Sequence, residues 1–535
     1  MEERAIKLID EVVNELKDLS REASLAYFNA SISGDGKDYQ RASELQLQVE
    51  KIFTDREKFK VLSELKNSEE ISDEVIKRQI EILYNSFAEK QIDDELLTEI
   101  INRSTEIEKK FAVYRAKVDG EELTDNQIDE ILKTSTDNEK LRKTWEASKR
   151  IGEEIAGDVL ELVKLRNKSA KDLGFDNYHE MSLKLSEQDP EELDRLFDEL
   201  DNLTANAFAQ RKNEIDEFLS KRYGVNKSEL MPQHYQDKFF QQGPKIYDVD
   251  LDSLFADKNL ERLTRKYYNS IGLDISDLLE KSDLYEKEGK YQHAYCTAID
   301  RDGDVRVLCN IKPNQQWMST MLHEFGHAAY DKYVSPKLPW LLRSHAHIFA
   351  TEAIAMLFGR MTLNANWLYE MGLIDESKIA ELRAPLEKSL QTEQLVFSRW
   401  VQTVYRFERE MYRNPDQDLN TLWQHLVEKY QGLKKPEGRN KPDWAAKIHI
   451  ALYPAYYHNY ILGELLASQL YFYIKDKVLK TEKDSPGFVG EKDAGEYLKN
   501  LFLSYGAVFK WDKLIKNATG EELTPVYYAK QFVGE

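Results

Sequence analysis

The sequence has 535 residues, of which 32% are charged and 41% hydrophobic, so it can form a large core and lacks the low hydrophobicity of a disordered chain. Its 75 Lys and Arg against 96 Asp and Glu give a net charge of −21, which argues against nucleic acid and against an anionic membrane surface as partners. Only 23 Gly and 13 Pro punctuate the chain, and this scarcity favours long helices.

The first part of the chain is predicted to form a series of charged helices. It contains no motif that we interpret as catalytic or ligand-binding. An amphipathic pattern predicts a helix over residues 1–29, ended by the Ser33–Gly36 cluster, and then a second helix to about Leu65. Helical periodicity continues into the 220s, with breaks near Gly174 and at Asp189-Pro190. Neither an export signal nor an apolar stretch long enough to span a membrane is visible, so we expect a cytoplasmic protein.

The middle of the chain departs from this helical pattern. A glutamine-rich stretch, 231–243, is interpreted as a loop between two halves, 1–230 and 231–535, of one intertwined domain. Strand signals are confined mainly to Gly289–Asn310, where Asp302-Gly303 favours a two-residue hairpin turn. That turn would place Cys296 opposite Cys309, and in a reducing compartment we expect two neighbouring thiols there. From Gln315 onward the pattern is helical, with short breaks at 336–339, 414–415, 434–442 and Pro454.

One motif in the second half carries chemistry. It is His323-Glu324-Phe325-Gly326-His327, in an apolar stretch predicted to be helical. Four residues apart on a helix, the two imidazoles project from one face and suit two bonds of about 2.1 Å to one zinc ion. Glu324 is close enough to hold a water molecule at the metal. The alternative interpretation is a pair of surface histidines in contact with solvent.

A catalytic zinc site needs a third protein ligand, and Glu352 is the first candidate. It stands in the apolar stretch 351–356, where a lone carboxylate is costly unless it is paired or bound to a metal. His345 and His347 are rival ligands, but their position at the entry to this helix is more typical of capping or of support for a ligand. A set of His, His and Glu leaves one coordination position open, which argues against a purely structural zinc site.

With these residues, the chain resembles the gluzincin peptidases, in particular angiotensin-converting enzyme and the thimet oligopeptidase/neurolysin/oligoendopeptidase group. In both families a ligand glutamate follows the second histidine by about the distance that separates Glu352 from His327. Residues 289–294, Gly-Lys-Tyr-Gln-His-Ala, resemble the substrate-lining edge strand of the thimet group. Further stretches of the second half resemble converting enzyme: Lys429-Tyr430-Gln431-Gly432, Lys447-Ile448-His449, Tyr457, Tyr460, Trp511 and Ala518-Thr519-Gly520.

The resemblance implies a mainly α, two-lobed zincin-type peptidase with a deep substrate channel and a small β-sheet beside the zinc helix. One Zn²⁺ per chain would be held by His323, His327 and Glu352. Glu324 would take a proton from the attacking water and pass it to the leaving amine. The other implied roles are an oxyanion site at Tyr460 and His449, an added substrate strand along His293 and Ala294, and a site for the peptide C-terminal carboxylate at Lys447, Tyr457 and Gln236.

Two departures from converting enzyme are informative. Four residues after the ligand glutamate, that family has an acidic residue, whereas Met356 stands here, so another group must orient the zinc histidines. Just before the second tyrosine that family has a chloride-binding arginine, whereas Asn459 stands here. Chloride activation is therefore not expected.

The sequence thus predicts a zinc peptidase that acts on short peptides, as a monomer or weak dimer, and releases C-terminal dipeptides. One alternative is an endo-acting oligopeptidase of the thimet/oligoendopeptidase type, which would cleave equally well when the peptide C-terminus is amidated. An alternative of another class is a non-catalytic peptide-binding protein.

Overall fold

The computed structural model describes residues 1–247 and 249–533. Over these residues the chain is mainly helical, as the composition predicts, with two small two-stranded antiparallel sheets. The strands are β1 (Ala116–Val118), β2 (Glu121–Leu123), β3 (Tyr295–Ala298) and β4 (Val305–Leu308). The helices are α1 (Glu2–Ser33), α2 (Gly36–Phe53), α3 (Arg56–Lys66), α4 (Glu74–Glu89), α5 (Asp94–Val113), α6 (Asp125–Thr134), α7 (Asn138–Asp172), α8 (Tyr178–Leu185), α9 (Pro190–Tyr223), α10 (Asp252–Phe255), α11 (Leu260–Ser270), α12 (Ser276–Lys281), α13 (Gln315–Tyr333), α14 (Ile348–Gly359), α15 (Ala365–Glu370), α16 (Ile379–Arg413), α17 (Leu419–Leu426), α18 (Ile448–Leu452), α19 (His458–Tyr473), α20 (Lys492–Leu501), α21 (Trp511–Thr519) and α22 (Val526–Phe532).

The chain groups into two compact units, each built from three separate stretches. The first unit comprises residues 1–91, 249–387 and 462–528. The second comprises residues 92–247, 388–461 and 529–533. The division into functional halves, 1–230 and 231–535, stays a prediction.

Capping residues explain where several helices of the first half begin and end. Helix α1 ends where Gly34 adopts a left-handed conformation and its N–H donates to Ala30 O, so the predicted stop at this cluster is confirmed. The second helix ends earlier than expected, because Asp55 accepts hydrogen bonds from two backbone N–H groups and starts α3 as a separate helix. Asp189 caps α9 in the same way, with Pro190 as its first residue.

The sheet of β1 and β2 was not predicted, although a signal for it exists. Val118 pairs with Glu121, and Asp119 and Gly120 form the turn between them with positive φ angles of 50° and 90°. Asp-Gly is the turn dipeptide that favours a tight hairpin. Its strands have only three residues each, so the alternation that marks a strand has no room to appear.

The hairpin of β3 and β4 was predicted, but its loop is longer than two residues. The Ile299 N–H donates to Asp304 O at 2.7 Å and closes a four-residue loop. The Asp300 carboxylate accepts the N–H groups of Asp302 and Asp304 at 2.7 and 3.0 Å, which stabilises this longer loop. The side chain of Asp300 therefore determines the loop length, in place of the Asp-Gly dipeptide.

The longer loop shifts the register of the sheet. Cys296 pairs with Val307, so the predicted pairing of Cys296 with Cys309 is wrong. Both cysteines are free thiols, as expected. The sheet packs against α13, and the prediction of a small sheet beside this helix is confirmed.

Helices α13 and α14 pack closely against each other in the first unit. A β-carbon at Gly326 would lie 2.7 Å from Ala355 Cα, which is too close for any side chain, so glycine permits this approach. In the part of the chain that the structure describes, no helix combines the length and the apolar character needed to cross a membrane.

Candidate metal centre

Helices α13 and α14 bring three potential metal ligands together. His323 and His327 lie one turn apart on α13, and Glu352 projects from α14. The Nε2 atoms of the two histidines are 3.3 Å apart. Glu352 Oε2 lies 3.6 Å from His323 Nε2 and 3.8 Å from His327 Nε2. The predicted third ligand is thus placed beside the first two.

The spacing of these three atoms fits a tetrahedral zinc ion. Ligands at about 2.0–2.1 Å from a tetrahedral metal are separated from one another by about 3.3–3.4 Å. Two imidazole nitrogens and one carboxylate oxygen are also donors that zinc accepts. The donor set of this chain therefore fits the ion, and among the described residues it is the one group of His, Cys, Asp and Glu close enough to hold a metal.

Burial sets the charge of the four groups at this centre. It lowers the pKa of His323 to about 4, and it lowers the pKa of His327 well below its usual value, so both rings are neutral and keep a lone pair. Burial and the charge of Glu352 raise the pKa of Glu324 to about 8. Burial and the charge of Glu464 raise the pKa of Glu352 to about 7. A divalent cation would offset this repulsion between carboxylates.

The two rival ligands lie outside the cluster. His347 precedes α14, and its Nδ1 accepts the Phe349 N–H at 3.3 Å, so it caps the helix as its position suggests. His345 Nδ1 lies 4.0 Å from Asp331 Oδ1. Neither histidine belongs to the ligand group that the described residues form.

Thr351, the residue before Glu352, contacts a ligand and was missed by the sequence analysis. Its Oγ1 lies 2.8 Å from His327 Nδ1, and the residue is buried. Met356 lies one turn after Glu352 and near the same neighbour: a β-carbon added at Gly463 would be 3.1 Å from the Met356 sulfur and 3.0 Å from Glu352 Cβ. A polar residue in an otherwise apolar helix was the available signal for Thr351.

A second group of predicted residues gathers around Tyr457, in the second unit. The Lys447 Nζ lies 5.3 Å from the centre of the Tyr457 ring, and the His449 ring lies 5.1 Å from it. The Tyr457 hydroxyl accepts the Trp400 indole N–H at 2.9 Å, which leaves its own proton available to another acceptor. The Tyr457 and Tyr460 rings are 5.3 Å apart.

Two short helices position this group. Lys447 precedes α18, and His449 lies within that helix. Tyr457 is the residue before α19, which contains Tyr460. Burial lowers the pKa of His449 to about 4, so a neutral ring that can donate a hydrogen bond is favoured over a protonated one.

Gln241, which follows Gln236 in the same loop, contacts Lys447. The Lys447 ammonium donates to Gln241 Oε1 at 2.7 Å. Gln236 ends a short 3₁₀-helix with a left-handed φ of 61°. Burial lowers the pKa of Lys447 to about 8, an effect that the charge of Asp237 partly opposes. The role of Gln236 in binding a peptide carboxylate stays a prediction.

His293 and Ala294 precede β3 and are not part of it. His293 is exposed, and its ring lies 5.5 Å from the ring of Tyr291. The Asn310 amide donates to the carbonyls of Tyr291 and Gln292 at 2.9 and 3.2 Å, and the Tyr291 N–H donates to Ser31 O at 2.8 Å. An added substrate strand here stays a prediction.

Asn459, which replaces an expected arginine, is bound by neutral groups. Its Oδ1 accepts the side-chain amide of Gln188 at 2.8 Å, and its own amide donates to Tyr456 O at 3.0 Å. The other end of Gln188 accepts from His458 Nε2 at 2.7 Å. Uncharged hydrogen bonds thus take the place of a cation at residue 459.

Comparison with known proteins places this chain beside one family of enzymes. A family model described as angiotensin-converting enzyme, peptidase family M2, matches residues 1–526. A curated relative, the inactive angiotensin-converting enzyme-related protein of Caenorhabditis elegans, is 25% identical over 199 residues, which are 36% of this chain and 22% of that protein. The match therefore spans about a fifth of the relative's length.

Proposed function

Since the chain belongs to the angiotensin-converting enzyme family of peptidases, we propose that it is a zinc-dependent peptidase that releases dipeptides from the C-terminus of short peptides. One observation carries the proposal: His323, His327 and Glu352 present their ligand atoms at tetrahedral spacing, beside the buried Glu324. The donor set leaves a position open for a water or a substrate oxygen.

The residues around this centre have the chemistry that peptide hydrolysis needs. Zinc bound there would supply a Lewis acid that polarises the peptide carbonyl and lowers the pKa of a water. The Glu324 carboxylate would accept the proton of the attacking water and deliver it to the leaving amine. Burial of Glu324 supports this role, because a carboxyl whose pKa lies near neutral pH can both take up and release a proton.

The remaining roles rest on the family resemblance and on local chemistry. Tyr460 and a neutral His449 would donate hydrogen bonds to the oxyanion. Lys447, Tyr457 and Gln241 would bind the peptide C-terminal carboxylate, because an ammonium, a hydroxyl and an amide can all donate to it. His293 and Ala294 would hold the substrate backbone. The location in the cytoplasm and the monomeric or weakly dimeric state remain predictions from the sequence.

A mixed library of unstructured peptides tests the activity. The purified chain is incubated with the library after chelation and again after zinc is restored, and the products are identified by mass spectrometry. We expect C-terminal dipeptides only in the zinc-loaded sample. Glu324→Gln should keep one zinc per chain but lose at least about 100-fold in turnover, since it removes the proton acceptor. Hydrolysis by Glu324→Gln at the wild-type rate would reject the mechanism.

A second candidate, a peptide-binding protein without catalysis, is favoured by the name of the curated relative, which calls that protein inactive. In this chain, however, both histidines, Glu352 and Glu324 are present together at one centre. Binding of library peptides without any zinc-dependent product would support this candidate against the first. Internal cleavage that is indifferent to C-terminal amidation would instead support an endo-acting oligopeptidase.

A further inference from the structure

Helix α14 contacts both ring nitrogens of His327 through two consecutive residues. Thr351 Oγ1 lies 2.8 Å from Nδ1, while Glu352 Oε2 lies 3.8 Å from Nε2. Position 356, where an acidic residue would be expected to support the ligands, is Met356, and its sulfur packs towards Gly463. Thr351 is buried, with 4% of its surface exposed, so its contact with the ring is shielded from water.

We infer that Thr351 is the positioning residue that holds His327 in the orientation and tautomer able to bind the metal. This inference rests on the zinc site of the proposed function. A neutral imidazole has one N–H and one lone pair. When Nδ1–H donates to the Thr351 hydroxyl, the lone pair is on Nε2, which is the atom that lies 3.3 Å from His323 Nε2. The opposite tautomer would direct a hydrogen towards the metal position.

A threonine hydroxyl differs from the carboxylate that would otherwise fill this role. A carboxylate only accepts hydrogen bonds, and it also makes the histidine a stronger base. A hydroxyl can donate as well as accept, and in a helix its own hydrogen can go to the carbonyl three or four residues earlier. Thr351 therefore orients the ring without adding a negative charge to a buried centre that already contains Glu324 and Glu352.

Three variants of the full-length chain test this role. Thr351→Val keeps the shape of the side chain and removes the hydroxyl, whereas Thr351→Ser keeps the hydroxyl. Thr264→Val is the matched control, since Thr264 is also buried in a helix of the same unit and its hydroxyl donates to Leu260 O at 2.9 Å. Zinc affinity is measured by competition with a chromophoric chelator, and the geometry of the site by the absorption spectrum of bound Co²⁺.

We expect Thr351→Val to bind zinc about 10–100-fold more weakly than wild type and to alter the Co²⁺ spectrum. Thr351→Ser and Thr264→Val should both stay within about threefold of wild type. Wild-type affinity and an unchanged spectrum in Thr351→Val would overturn the inference. An equal loss in Thr351→Ser would also overturn it, because the methyl group and not the hydroxyl would then be responsible.

A measurement on the wild type keeps the inference testable if Thr351→Val does not fold. In the zinc-loaded protein labelled with ¹⁵N-histidine, His327 should show a protonated Nδ1 and a metal-bound Nε2, and binding through Nδ1 would overturn the inference. These experiments distinguish failure of the inference about Thr351 from failure of the proposed peptidase activity. If zinc binds with the expected variant pattern but no peptide is cleaved, the activity fails and the role of Thr351 stands.

Discussion

The Lys447 ammonium donates a hydrogen bond of 2.7 Å to the side-chain oxygen of Gln241, and it does so in aromatic surroundings. Its Nζ lies 5.5 Å from the Trp400 ring and 5.3 Å from the Tyr457 ring. A cation held in this way keeps donor capacity for a further anion, because an ammonium has three hydrogens. In the proposed function, this anion is the C-terminal carboxylate of the peptide substrate.

The first prediction concerns this lysine. Lys447→Met should lower kcat/KM for peptides with a free C-terminus by about 10–100-fold, since a hydrogen bond to a charged group contributes about 1.5–3 kcal/mol. Wild type should cleave amidated peptides slowly, and Lys447→Met should cleave them at nearly the same slow rate. Lys441→Met, which changes an exposed lysine of the same unit, is the control. Equal cleavage of free and amidated peptides by wild type would contradict the exopeptidase proposal.

The second prediction concerns the third metal ligand. Glu352→Gln should bind less than the one zinc ion per chain expected of wild type, because a neutral amide is a much poorer ligand than a carboxylate. His347→Ala should keep zinc and lose about 1 kcal/mol of stability, the usual cost of removing a helix cap. Metal content after dialysis and thermal unfolding measure the two effects. The assignment is wrong if Glu352→Gln keeps zinc and His347→Ala loses it.

The third prediction concerns the close approach of α13 and α14. Gly326→Ala should lower the unfolding temperature and weaken zinc binding, because its β-carbon would lie 2.7 Å from Ala355 Cα and force the two ligand-bearing helices apart. The matched control is Gly157→Ala, in α7, where nothing lies within 4 Å of an added β-carbon. This control should be stabilised by about 0.5–1 kcal/mol. Equal behaviour of the two variants would contradict the prediction.

The fourth prediction concerns stability in acid. Burial lowers the pKa of His179 to about 3, and the same cause lowers that of His458 to about 3. Between about pH 6.5 and pH 3 the unfolded chain binds protons at these residues and the folded chain does not, so stability falls as the pH falls through this range. Each histidine should account for about 2 kcal/mol between pH 7 and pH 5.

Two variants isolate this contribution. His179→Phe keeps an aromatic ring near Tyr405 and Tyr412 and should reduce the loss of unfolding free energy between pH 7 and pH 5 by about 2 kcal/mol. His425→Asn, which removes a histidine at an exposed position of the same unit, is the control. Urea unfolding at the two pH values measures both. If His179→Phe and wild type show the same pH dependence, then His179 binds a proton in the folded chain as readily as in the unfolded chain, and the prediction is wrong.

The candidate metal ligands could be predicted from the sequence for reasons that are local. The spacing of His323 and His327 places them on one helix face, and a carboxylate at Glu352 in an apolar helix needs a partner. The helix starts were predicted best where a capping residue is visible, as at Asp189-Pro190. The split between α2 and α3 was missed because Asp55 lies in a long charged stretch. One more acidic residue there cannot be recognised as a helix cap.

The errors concern contacts between residues whose relation depends on the exact path of the backbone. The hairpin register depends on whether Asp300 closes a four-residue loop, which a preference for Asp-Gly turns does not reveal. Short strands such as β1 and β2 leave no periodic signal.

Three features are visible without the fold: the helical class, the two histidines on one helix face and the need for a third ligand. They follow from periodicity and from the cost of burying a charge, which are properties of local sequence. The packing of the helices, by contrast, brings Glu352 and not His347 to the two histidines and places Thr351 against His327. The reason is that helix α14 can turn any of its faces towards α13, and the packing of Gly326 against Ala355 selects one of them.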